Sequence, residues 1–207
     1  MKSPGGTGGP QGADRSGPDR AGVLETVRAS LREAGLVAEQ PSPAHLVVSL
    51  PGEHKLSITC SLKVGRHSLS VNAFVMRAPA ENHEQAYRWL LRANTRTRGV
   101  AFALDRLGDV YLVGRLPLAA VDAESLDRLL GAVLEHADSA FDTLVAMGFA
   151  SSIRQEWRWR IARGESTANL EPFRHLMAGL EDAGLEDAAP EDAAPEDAGD
   201  GPAPPGN

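Results

Sequence analysis

Side chains able to do chemistry are sparse in this chain, and their spacing assembles no reaction. Cys60 is the only cysteine, which excludes an internal disulfide and a multi-cysteine metal knuckle. It shares the apolar side of "KLSITCSL" with Leu56, Ile58 and Leu62. A thiolate is disfavoured in such surroundings, and the thiol behaves as a small hydrophobe. The segment "HEQAY" offers His83 and Glu84 but lacks the second histidine of a zinc-binding helix. The six histidines, at 45, 54, 67, 83, 136 and 175, are scattered. There is no glycine-rich phosphate loop, dinucleotide fingerprint or nucleophile elbow. No catalytic residue, cofactor or metal is expected.

Arginine and tryptophan are the more informative residues. "LLRANTRTRG" places Arg92, Arg96 and Arg98 at the end of a helix, where cations complement the helix C-terminus and could also meet an anionic partner. "SSIRQEWRWRIARG" has capping-box spacing at Ser152 and Gln155, with Gly164 to end the helix. At about 100° per residue, Ile153, Trp157 and Ile161 fall within about 40° of one another, while Trp159 points about 200° away from Trp157. Trp157 is therefore expected in the core. Trp159 belongs on the surface, against another layer of the chain, or in a subunit contact. Aromatics beside arginines are common at interface hot spots, so the candidate partner-binding residues are Trp159, Arg158, Arg163, Arg92 and Arg96. The arginines at 154, 158, 160 and 163 surround the cylinder and form no single stripe for a phosphate backbone, which disfavours nucleic acid.

These residues need a scaffold, and composition marks its limits. Residues 1–20 are rich in Gly, Pro and Ser, and residues 181–207 carry the pentapeptide repeat "EDAGL EDAAP EDAAP EDAGD". Neither segment has enough large apolar side chains to offset its ordering entropy, so both read as disordered tails. The acidic tail is either a solubilising segment or an electrostatic mimic for a basic partner. Of the net charge of -7, the tail supplies nine acidic residues and no basic one. Residues 21–180 are thus nearly neutral and long enough for a single domain with a sizeable core. A near-neutral domain argues against strong binding to nucleic acid or anionic lipid. No apolar run reaches membrane-spanning length and no signal peptide is evident, so a cytoplasmic location is expected.

Within those limits the period changes along the chain. Leu24, Val27, Leu31 and Ala34 predict a helix over 20–34, stopped by Gly35. Period-two alternation then predicts three strands, "HLVVSL", "KLSITCSL" and "HSLSVNAFVM", joined by hairpins at "PGEH" and "KVGR". Asn82 and Gln85 predict a capping box for a helix running towards Gly99. Two more strands, "VAFALDRL" and "DVYLVGRL", precede a long helix over 123–147 capped by Asp122. The expected fold is α+β: a five-stranded antiparallel sheet in the order α-β-β-β-α-β-β-α, packed by helices. A further helix is expected near 152–163, and a short one after Pro172.

This order, with "LLRANTRTRGVAFALDRLGDVYLVGRLPL", the long helix and the closing "EWRWRIARGES", resembles the YbjN-domain family over about residues 21–177. The resemblance implies a bacterial sensory-transduction regulator with a type III secretion chaperone-like fold. It further implies a homodimer that binds another protein, and the Arg/Ala/Gly usage looks actinobacterial. The leading expectation is a non-enzymatic, regulatory or chaperone-like interaction module. The alternative is an enzyme or small-ligand sensor with its site between the sheet and the long helix, built from residues such as His67, Asn72 and Tyr111.

Overall fold

The computed structural model describes residues 19–178. The expectations for the tails at 1–20 and 181–207 therefore fall almost wholly outside the described residues. Asp19 opens the fold: its carboxylate accepts the N–H groups of Ala21 and Gly22, each at 3.0 Å. It thereby caps α1 (Arg20–Glu33), which buries Val23, Val27 and Leu31. Gly35, at φ +70°, reverses the chain as the sequence predicts.

The sheet has six strands where the sequence predicts five. They are β1 (Ala38–Ser42), β2 (His45–Leu50), β3 (Ile58–Val64), β4 (Ser68–Met76), β5 (Val100–Leu104) and β6 (Val110–Pro117). Their spatial order is β1-β2-β3-β4-β6-β5, with every neighbouring pair antiparallel. The unexpected strand, "AEQPS", has no apolar alternation and contains Pro41. It survives because it is an edge strand, paired only with β2, where a missing N–H and polar side chains are tolerated.

The alternation assigned to β2, β3 and β4 holds, with Leu46, Val48, Ile58, Cys60, Leu62, Leu69, Val71, Ala73 and Val75 all buried. Two expectations fail nearby. Leu56 lies outside the strand and is 82% exposed. The β2–β3 connection is a longer strap over residues 51–57, not a tight hairpin. Leu104, the last residue of β5, is exposed.

α2 (His83–Ala93) and α3 (Ala123–Gly148) join α1 on one face of the sheet. The expected capping box of α2 is absent. Asn82 adopts a left-handed conformation, φ +53°, and its Nδ2 donates to the Met147 carbonyl at 3.0 Å. The helix stops at Ala93, well before Gly99, because Asn94 turns inward to bond β5. Asp122 caps α3 as expected, accepting the Ser125 N–H at 2.7 Å. Leu126, Leu129, Leu130, Val133, Ala137, Ala140 and Leu144 carry the buried stripe of α3 into the core.

α3 passes into α4 (Ala150–Arg163) with only Phe149 between them. The expected start at Ser152 is therefore two residues late. The close turn depends on Gly148, whose missing Cβ would lie 3.0 Å from Pro79 Cβ. A 3₁₀ segment, Ala168–Met177, closes the described chain and contains Pro172 instead of following it.

Candidate partner-binding surface

α4 is held at one end by the β4–α2 loop and along one side by the 3₁₀ segment. Glu81 accepts the Ser151 N–H at 2.6 Å and its hydroxyl at 2.9 Å. Those two bonds hold the Glu81 carboxyl below the usual range. Ala80 and Glu81 donate their backbone N–H groups to the Gly148 carbonyl. On the inner side, Ile153 forms a small cluster with Phe173 and Met177, and Trp157 packs against it half-buried. Ile161 falls beyond that cluster and is 62% exposed. The predicted Ile153–Trp157–Ile161 stripe is thus buried at Ile153, half-buried at Trp157, a residue expected in the core, and exposed at Ile161.

The four arginines of α4 divide into two pairs. Arg154 Nε donates to the Leu176 carbonyl at 3.0 Å, and Arg160 bonds Glu156, the Ser166 carbonyl and Asn169 Oδ1. These two bind α4 to the segment that follows it. Arg158 and Arg163 instead face solvent. Trp159 is 44% exposed, with the Arg163 guanidinium stacked 4.7 Å from its ring centroid. The pair presents a flat aromatic surface beside a delocalised cation, a combination suited to anionic and apolar groups together.

Arg92, on α2, and Arg96, in the turn after it, are exposed. Arg92 lines an open groove of about 630 Å³ with Asn82, Glu84, Gln85, Arg88, Trp89 and Met147. Among the described residues no hydrogen bond or ion pair links Arg92 or Arg96 to the Trp159 patch. Of the five predicted binding residues, Arg158, Trp159 and Arg163 stand on α4, Arg92 on α2 and Arg96 in the turn that follows α2.

The alternative cleft between sheet and long helix is filled. No polar or charged residue is buried among the described residues, and the space is occupied by the apolar core. Asn72 and Tyr111 point to the opposite, uncovered face, where Tyr111 meets Phe74 edge-on at 5.5 Å. His67 lies in the β3–β4 turn, with its carbonyl accepting the Leu118 N–H. Cys60 is fully buried, and burial pushes its thiol up to about 12, so it stays protonated. No group of three or more His, Cys, Asp or Glu able to hold a metal occurs among the described residues, and no helix there is long and apolar enough to cross a membrane.

Sequence reasoning missed one polar assembly. Asp138 on α3 accepts the backbone N–H groups of Glu53, His54 and Lys55, at 3.1, 3.0 and 2.8 Å, and so fastens the 51–57 strap. Burial tends to raise the Asp138 carboxyl, but the three N–H donors outweigh it and hold the group below the ordinary aspartate range. Gly52 permits the approach: a Cβ there would lie 2.5 Å from the Lys55 carbonyl. Lys55 in turn donates to the Phe74 and Val75 carbonyls, both at 2.6 Å, beneath the rings of Phe74 and Phe141. Burial pushes its ammonium down to about 8. The partners are distant in sequence, so only the glycine was visible as a signal.

The described residues define an α+β fold, an antiparallel six-stranded sheet with helices on one face and an exposed Trp159–Arg163 pair on α4. The chain belongs to the YbjN family, described as "Putative bacterial sensory transduction regulator", whose model matches residues 24–146. The match ends before α4, so the closing "EWRWRIARGES" lies outside it, in contrast to the expected extent of 21–177. An uncharacterized protein of Mycobacterium tuberculosis is 56% identical over 135 residues, covering 65% of this chain and 74% of the relative. One from Mycobacterium leprae is 54% identical over 132 residues, covering 64% and 72%. Among solved structures, the Yersinia pestis type III secretion chaperone SycH, in complex with a stable fragment of YscM2, aligns with TM-score 0.43 at 19% identity, over 57% of this chain and 97% of that one. The Pseudomonas aeruginosa ExoU–SpcU complex aligns with TM-score 0.42 at 18% identity, over 56% and 94%.

Proposed function

We propose that this protein is a non-enzymatic, cytoplasmic interaction module of regulatory or chaperone-like type. In this reading residues 21–180 act as one folded unit that forms a homodimer and binds a protein partner. The observation that carries it is Trp159: a large aromatic held 44% exposed on the outer face of a helix, under the Arg163 guanidinium, while Trp157 two residues earlier turns inward. Leaving such a ring in water forgoes burial that a contact would supply. Arg163 sets its charge against the ring, and Arg158, Arg92 and Arg96 are further exposed cations in this proposal. The family's description as a regulator supports a binding role over a catalytic one.

The test is association by light scattering at micromolar concentration, with and without Trp159→Ala. The expected result is a dimer weakened by at least about 2 kcal/mol, or about 30-fold in Kd, as for an interface hot spot. A wild-type monomer, with no protein bound that Trp159→Ala releases, would overturn the reading.

A further inference from the structure

From the position of the last described residues and the charge on either side, we infer that the acidic C-terminal segment, residues 179–207, is the intramolecular occupant of the α4 Trp159–Arg163 face. α4 holds four arginines and one glutamate, and that glutamate, Glu156, is engaged by Arg160. Arg158 and Arg163 are left exposed, Arg163 stacked on the Trp159 ring. The segment that follows Ala178 holds nine acidic residues and no basic one, with Glu-Asp pairs repeated every five residues from Glu181. Opposite charges of this density attract wherever the chain can bring them together.

The chain delivers them to the right place. Leu176 accepts a bond from Arg154, and Met177 packs on Ile153, so the acidic segment departs from the flank of α4 itself. At about 1.5 Å per residue, Arg158 and Arg163 lie roughly 6 and 14 Å along the helix from Arg154. Twelve residues of chain behaving as an unrestrained coil would span about 20 Å root-mean-square, which covers that distance. Tethering at this range gives an effective concentration of order millimolar, so even weak ion pairing keeps the face occupied. Alanine, leucine and proline between the acidic pairs suit the exposed indole, and Arg163 already stacked on that ring completes a site for a carboxylate beside an apolar side chain.

The inference deepens the proposed role of this face: an external partner would have to displace the chain's own acidic segment. The test uses the full-length protein and a full-length variant whose nine carboxylates in 181–207 are replaced by amides. Hydroxyl-radical footprinting reads the reactivity of Trp159, with Trp157 as an internal control. Neutralising the segment is expected to raise Trp159 labelling several-fold, and 0.5 M salt to do the same to the wild type by screening. Arg158→Glu with Arg163→Glu should abolish the difference between the two tails. Labelling that is equal in both proteins at low salt would overturn the inference. So would protection that grows with protein concentration, since the segment would then act on a second copy. Light scattering on the same samples separates the two claims: a monomer that shows tail-dependent protection sustains the intramolecular contact while removing the dimer.

Discussion

Two tryptophans of the same type, two residues apart, do opposite work because a helix turns about 200° between them. Trp157 packs against Ile153, Phe173 and Met177, so Trp157→Ala should cost about 2 kcal/mol in urea melts, below the range for a fully buried ring. Asp138 and His54 act at the same scale but through charge. His54 Nδ1 lies 2.7 Å from Asp142, and this hydrogen bond raises the imidazole's pKa above its ordinary value. A raised folded-state pKa means the pair's contribution is fully present below about pH 6.5 and is lost as pH rises through the folded value. A proton-NMR titration should therefore find His54 ionising above 6.5, and Asp142→Asn should bring it back. An unshifted wild-type titration would show the pair to be unformed. None of these long-range partners was legible in the sequence, because Asp138 and the strap it holds are separated by more than 80 residues.

At the scale of elements, helices with wide apolar stripes and strands with strict alternation were legible, and the elements at the margins were not. β1 has no pattern to read because an edge strand buries almost nothing. The opposite edge, β5, is protected by a side chain. Asn94 Oδ1 accepts the Phe102 N–H at 2.7 Å, and Nδ2 donates to the Phe102 carbonyl at 3.2 Å. One amide thus imitates the peptide of a neighbouring strand and occupies the middle of an apolar edge. Asn94→Ala should cost about 1–2 kcal/mol for the two bonds lost and leave β5 open to pairing with other chains. Chemical denaturation would measure the first effect, and concentration-dependent light scattering the second. An unchanged association state would show that the Asn94 amide is not what guards the edge.

At the scale of the molecule, the apolar residues fall into one large core between sheet and helices and a small cluster joining α4 to the 3₁₀ segment. The small cluster rests on three buried side chains, so Phe173→Ala should remove about 3 kcal/mol locally. Hydrogen exchange should then accelerate in α4 and Ala168–Met177 while β3, β4 and β6 keep their protection. Uniform acceleration would show that the two clusters unfold together. The sequence by itself determined what depends on neighbours along the chain: the period of the five expected strands and of the main helices, the Asp122 cap, the charge of the acidic tail and the opposed directions of Trp157 and Trp159. Tertiary structure alone decided what depends on distant neighbours: the sixth strand, the filled space between sheet and long helix, and the Asp138 strap. Periodicity records which side of an element is buried, whereas the partner on that side is chosen by packing among residues that the chain places far apart.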